Sequence, residues 1–161
     1  MMNPNAPMPM SPHPYRGFAI MLTVSFFVMY AVMFLNVDQF DHVYLSLTRT
    51  YMSLLMVAAM ALVMLSLMRH MYPNQRLNRL IAGGSVLVFA LVLTLLRAQI
   101  PVGDVQYLKA MIPHHSSAIL VSRSAEFKDP EVKKLSEGII QSQEREIAEM
   151  KAAIARLESQ Q

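Results

Sequence analysis

Methionine and histidine are the side chains of this sequence whose chemistry stands out, because both can bind a metal ion. The 161 residues include 15 methionines and five histidines, but no cysteine. Without cysteine, the chain can form no disulfide, no thiolate zinc site and no iron–sulfur cluster. Thioethers select soft cations such as Cu(I) and Ag(I), and a mixed set of histidine and methionine suits both oxidation states of copper. The composition therefore favours soft-metal chemistry.

Five of the methionines recur at every fourth residue within one apolar segment. Each step of four residues rotates by about 40° around a helix, so their side chains form one slowly turning stripe. The stripe is either adaptable apolar packing or a ladder of soft ligands that begins near His42 and ends near His70. Spacing leaves both interpretations open. The stripe consists of Met52, Met56, Met60, Met64 and Met68.

A second group of candidate ligands lies on two predicted helices near the C-terminus. The first helix is expected to begin after Gly103 and to run to about Phe127. The second is expected to begin at Pro130, since Asp129 is a good N-cap and proline suits the first helical position, and to run to about Glu158. Because only a short link joins them, the two helices should form an antiparallel hairpin.

Six side chains of this hairpin are predicted to face one another at one level. Facing residues should have numbers that add up to about 257 if the turn centres on the short link. Ligands spaced three and four residues apart on facing helices can surround one ion. Pro113 lies at this level and predicts a kink. Alternatively, the histidines are surface or satisfied core residues, since adjacent helical side chains point about 100° apart. The six are Met111, His114, His115, Gln143, Glu146 and Met150.

Three apolar segments that precede the hairpin predict a membrane protein. Segments 17–37, 44–68 and 80–96 each approach the roughly 20 residues that cross a bilayer. Only 16% of the residues are charged, against about 25% in an average soluble protein. Basic residues lie in the loop 69–79 and are absent from the loop 38–43. The positive-inside rule therefore predicts a cytoplasmic N-terminus and an outward-facing hairpin.

These elements together predict an all-α chain with three regions. Residues 1–16 form a disordered tail, because they contain five prolines and four methionines within the first 14 positions. Residues 17–97 form three transmembrane helices. Residues 104–158 form the antiparallel two-helix hairpin, which is the predicted metal-binding domain outside the membrane.

Two motifs on the hairpin carry a family resemblance. They are M-x-P-H-H from Met111 to His115 and Q-x-x-E-I-x-x-M from Gln143 to Met150. With the methionine-bearing apolar segment before them, they make the chain similar to membrane-anchored members of the domain of unknown function 305 family. The resemblance implies a ferritin-like helical fold and copper binding in the bacterial periplasm or envelope. The ligand positions that it implies are Met111, His114, His115 and Met150.

The leading hypothesis is a bacterial inner-membrane protein whose periplasmic hairpin binds Cu(I), and also Cu(II) or Ag(I), for sequestration or handover. A hairpin buries little by itself, so a second copy is expected to complete a four-helix bundle. No basic patch with interleaved aromatics predicts binding to nucleic acid. The rivals are a membrane scaffold in which the histidine pair is structural, metal transport along the stripe, and a ferritin-like oxidoreductase.

An enzyme is not expected from this sequence. A di-metal carboxylate site needs Glu-x-x-His motifs and a glutamate from each of two further helices, and the chain has no Glu-x-x-His. No Ser/His/Asp arrangement, phosphate loop or dinucleotide fingerprint is visible either.

Overall fold

The computed structural model describes residues 14–160, which are helical apart from their connections. No strand occurs within that range, so the all-α prediction is confirmed for it. Two short 3-10 turns, Phe40–His42 and Arg69–Met71, lie in the first two connections. The helices are α1 (Pro14–Val32), α2 (Leu47–Leu67), α3 (Gln75–Ala98), α4 (Asp104–Ser124) and α5 (Pro130–Glu158).

The first three helices are each long and apolar enough to cross a membrane. Their bounds differ from the predicted ones because capping residues set where they begin. The Asn74 side chain accepts hydrogen bonds from the first N–H groups of α3, which therefore starts at Gln75, before the apolar run. Helix α1 starts at Pro14, so the last three residues of the predicted tail are helical, while residues 1–13 lie outside the described range.

Helix α2 is central, since it packs against α1, α3 and α4. At the end of the bundle where α2 leads into α3, the buried core consists of Phe18, Ala61, Leu65 and Tyr72. Two members of the methionine stripe, Met64 and Met68, pack against this core. These two thioethers therefore serve as apolar filling at this end of the bundle.

Helices α4 and α5 pack antiparallel. Ser136 donates to the Ser122 carbonyl near the turn, over 3.4 Å, and Lys109 pairs with Glu158 at the far end, over 2.6 Å. Helix α4 ends at Ser124, three residues before the predicted end. The core between the two helices is a row of isoleucines, Ile112, Ile119, Ile147 and Ile154.

The third span does not continue into the hairpin. Gln99 ends α3 in the left-handed conformation with φ of 54°, and its N–H is bonded to the carbonyls of the last turn. A left-handed residue closes a helix because its backbone cannot propagate the right-handed turn. Gly103 then precedes the first residue of α4, so a bend separates the membrane helices from the hairpin.

The hairpin lies against the connection between α1 and α2. Asp38 of that connection pairs with Arg123 over 2.6 Å, and Asp41 pairs with Lys151 over 2.5 Å. The hairpin and this connection are therefore at one end of the bundle. The connection between α2 and α3 is at the other end, which is the arrangement that three successive spans require.

Candidate functional site

The adjacent histidines of α4 lie in two different environments. His115 is buried, with 8% of its surface exposed, whereas His114 is exposed. Their ring centroids are 6.1 Å apart and their planes are inclined by 72°. Successive residues of a helix point in different directions, so the pair serves two surfaces of α4.

His115 is engaged through both ring nitrogens. Its Nε2 lies 2.7 Å from Oε2 of Glu146, and its Nδ1 lies 3.0 Å from the Met111 carbonyl oxygen. The other oxygen of Glu146 accepts from the Ser142 hydroxyl over 2.6 Å. These two hydrogen bonds, first from Ser142 and then from His115, lower the pKa of the Glu146 carboxyl. The contact between His115 of α4 and Glu146 of α5 therefore links the two helices of the hairpin.

His42 belongs to a buried polar contact between the α1–α2 connection and α4. Its Nδ1 lies 2.8 Å from the Ser116 hydroxyl oxygen, which also accepts the Asp38 N–H over 2.7 Å. Burial lowers the pKa of His42, and the nearby Lys151 ammonium adds to the effect. His42 was a candidate ligand in the sequence, and here it fastens the hairpin to the membrane half. The contacts that do so, called the docking network below, comprise Asp38, Asp41, His42, Ser116, Arg123 and Lys151.

A cleft of about 530 Å³ opens on another face of α4, where the hairpin meets α1 and α2. Three thioethers and one imidazole lie in its lining, contributed by the end of α1, by α2 and by α4. The sulfur of Met33 accepts a hydrogen bond from the Ser53 hydroxyl over 3.7 Å, which orients that thioether. We call this the methionine cleft, and its candidate donors are Met33, Met52, Met111 and His114.

Arg49 also lines the methionine cleft and places a positive charge beside it. Its guanidinium donates to the Met33 carbonyl and lies over the Phe34 ring, 4.4 Å from the centroid. A carbonyl dipole and an aromatic face both stabilise the cation. Because like charges repel in inverse proportion to their distance and in proportion to both charges, Arg49 opposes a divalent ion about twice as strongly as a monovalent one.

The structure thus brings together only part of the predicted ligand set. Met111, His114 and the first member of the stripe, Met52, line one cleft. Met150 packs against the isoleucine core, and Glu146 is bonded to His115. Within the described range, the Gln143 side-chain oxygen is buried without a hydrogen-bond partner. Along the stripe, Met56 is exposed on the bundle surface and Met60 is half-buried.

Met33 is a candidate donor that sequence reasoning missed. It follows the last residue of α1, and no spacing within the first apolar segment links it to the second. Pairing the ends of these two segments across their short connection would have placed Met33 near Met52. Between residues 14 and 160, no group of three or more histidine and carboxylate side chains that could hold a metal ion is found.

Comparison with known proteins bears on the family and not on the activity. The model of the domain of unknown function DUF305 matches residues 56–154, which extend from α2 into α5. "Uncharacterized protein L153" of Acanthamoeba polyphaga mimivirus is 33% identical over 138 residues, which cover 84% of this chain and 89% of that protein. No solved structure matches. Since the family match covers residues 56–154, which are more than half of the chain, the chain belongs to the DUF305 family.

Proposed function

We propose that this chain is a membrane-anchored copper-binding protein that holds Cu(I) at the methionine cleft. The observation that carries the proposal is the donor set itself, three thioethers and one imidazole gathered from three parts of the chain. Uncharged sulfur and imidazole donors suit a soft monovalent cation, so Ag(I) is expected to bind at the same place.

The charge beside the cleft supports Cu(I) over Cu(II). The Arg49 guanidinium lines the same space, and its repulsion is weaker for the ion with the smaller charge. Cu(II) also prefers nitrogen and oxygen ligands in a square arrangement. His114 is the one histidine in the cleft, whereas the second histidine of the motif is bonded to Glu146.

Sequestration or handover is the role that suits an open cleft. His114, which lies on the hairpin, is exposed, so this donor is accessible from outside the protein. A ligand exchange partner can therefore reach the ion directly. We place the protein in a bacterial inner membrane with the hairpin in the periplasm and the N-terminus in the cytoplasm. The support is the cluster of arginines in the α2–α3 connection and at the start of α3.

The test is a Cu(I) titration of the full-length protein in detergent against a competing chelator. The cleft variant Met33→Leu/Met52→Leu/Met111→Leu keeps volume and apolarity while removing three sulfurs. We expect its affinity to fall by more than about tenfold, which is the equivalent of about 1.4 kcal/mol. The matched control, Met56→Leu/Met60→Leu/Met64→Leu, removes three sulfurs elsewhere on α2 and is expected to bind normally.

The outcomes separate the alternatives. A loss of Cu(I) affinity in the control but not in the cleft variant would assign binding to the methionine stripe and favour metal transport along it. If the unmodified protein did not compete with the chelator for Cu(I), copper binding would be overturned and a scaffold role would be favoured. Single variants complete the design: His114→Ala is expected to weaken binding, whereas His115→Ala is expected mainly to loosen α4 from α5.

A second copy is part of the proposal. Val132, Leu135 and Ile139 are exposed, although they continue the stripe of α5 that buries Ile147 and Ile154. Val121 of α4 is exposed as well. A homodimer that covers these side chains would give the four-helix, ferritin-like arrangement that the family resemblance implies. Sedimentation in detergent should show dimers that Leu135→Glu converts to monomers, and a monomeric unmodified protein would exclude this interface.

A further inference from the structure

The end of the membrane bundle opposite the hairpin carries positive charge without carboxylates to balance it. The only acidic residues before Asp104 in the sequence are Asp38 and Asp41, and both pair with hairpin cations at the other end. None of the seven ion pairs formed between residues 14 and 160 includes an arginine of this end. The four arginines are Arg16, Arg69, Arg76 and Arg79.

Two of these arginines line one cavity of about 770 Å³. It lies between the end of α2 and the beginning of α3, and we call it the arginine pocket. Arg69 and Arg79 contribute its cationic lining, and the His70 side chain lies beside them. Deeper along the helices, its lining is apolar and includes Leu62, Leu65 and Ala82. A charged rim above an apolar groove has the same order of polarity as a phospholipid from headgroup to acyl chain.

The arginine pocket is preformed by hydrogen bonds among neighbouring residues, which leave the guanidinium groups of Arg69 and Arg79 out. Asn78 donates to the Tyr72 carbonyl over 2.8 Å and accepts from the Tyr15 hydroxyl over 2.9 Å. The Asn74 N–H donates to the Tyr15 oxygen over 3.0 Å. These bonds tie α1, the 3-10 turn and α3 together, so little ordering is needed when a ligand enters. The N-terminus of α3 adds a partial positive charge.

We propose that the arginine pocket binds an anionic phospholipid from the leaflet on this side of the membrane. The phosphate lies between Arg69 and Arg79, and an acyl chain follows Leu62 and Leu65. The proposal is independent of copper binding, because the pocket and the methionine cleft are at opposite ends of the bundle and share no residue.

The experiment uses the full-length protein in nanodiscs of phosphatidylcholine with and without phosphatidylglycerol of the same chain length. We expect phosphatidylglycerol to raise the thermal unfolding midpoint, since a ligand that binds only the folded state stabilises it. Native mass spectrometry of protein exposed to an equimolar mixture should show preferential retention of phosphatidylglycerol. An arm in detergent with inorganic phosphate alone should give no shift. A shift there would make the ligand a free phosphate and overturn the lipid assignment.

The variants distinguish a pocket from a general surface charge. A direct hydrogen bond to a charged group contributes more than the general attraction of a surface cation, so Arg69→Gln/Arg79→Gln should weaken phosphatidylglycerol retention by more than about tenfold, and Arg76→Gln should weaken it by less. Arg76→Gln is the matched control, because Arg76 is an exposed arginine of the same end that does not line the pocket. An equal loss in the control, or equal retention of both lipids by the unmodified protein, would overturn the proposal. If the double variant does not fold, Arg79→Lys replaces it and should retain part of the preference.

Discussion

The hairpin meets the membrane half through two regions of opposite chemistry. The docking network is polar and saturated with internal bonds, since Ser116 is fully buried and contacts both His42 and the Asp38 N–H. The methionine cleft is open, and its lining includes the exposed His114 imidazole and the Met33 thioether, which accepts one long hydrogen bond from Ser53. The difference shows that the docking network fixes the position of the hairpin. The donors of the methionine cleft are therefore held in place without being used in internal hydrogen bonds.

The largest effect is expected in the hairpin core, which supports α4, the helix that contributes side chains to both regions. Ile112 is fully buried directly before Pro113 and the histidine pair, so Ile112→Ala leaves a cavity in the hairpin core. We expect a loss of about 2–5 kcal/mol in the free energy of unfolding, measured by denaturation in detergent. Ser124→Ala, at the exposed last residue of the same helix, should change stability by less than about 0.5 kcal/mol. If both variants lost a similar amount of unfolding free energy, the hairpin core would not be the main source of stability for α4.

Removing one hydroxyl should break the docking network alone. Ser116→Ala leaves the His42 Nδ1 and the Asp38 N–H without the partner they share, at a cost of about 1–3 kcal/mol. Hydrogen exchange at the Asp38 amide should accelerate accordingly. The neighbouring Ser117 bonds Asn36 at the surface, so Ser117→Ala is the control and should leave that amide protected. Unchanged exchange in Ser116→Ala would contradict the assigned role of this contact.

A change of opposite sign is expected inside the hairpin. Among the described residues, the Gln143 oxygen is buried without a partner, and an unmet buried acceptor is destabilising. Gln143→Leu, which removes the amide without adding a donor atom, should therefore raise the free energy of unfolding by about 1 kcal/mol and leave copper affinity unchanged. A loss of copper affinity in this variant would make Gln143 a ligand and move the site from the cleft into the hairpin.

The smallest expected effect is a pH dependence of docking. Burial lowers the pKa of His42 from its usual 6.5, so the docked state is favoured when this ring is neutral. As pH falls below 6.5, the unfolded chain takes up the proton first, and docking weakens until His42 is protonated in the folded state too. Glu146, whose pKa lies below 4.5, adds a loss only in more acidic solution. The protection factor of the Asp38 amide, which corrects for the intrinsic pH dependence of exchange, measures the first window between about pH 7.5 and 5, and His42→Gln should make it independent of pH there.

The sequence was sufficient for features set by local patterns. The helical class, the three apolar spans and the capping of α5 at Asp129 follow from composition, segment length and residue preference. Helix geometry predicted that His114 and His115 point apart, but which of them is buried was not accessible, because it depends on how α5 and the membrane helices pack against α4. Gln143 stood out as a polar interruption, but only packing shows that its oxygen lacks a partner.

The bend between α3 and α4 has a thermodynamic consequence for an ion in the cleft. Met33 and Met52 belong to the membrane side of the bend, and Met111 and His114 belong to the hairpin side. A copper ion bound across that joint would be coupled to docking of the hairpin on the membrane helices. The factor by which docking raises the affinity for the ion would equal the factor by which the bound ion favours docking. A partner that draws the hairpin away from the membrane would therefore release the ion without competing for a single ligand.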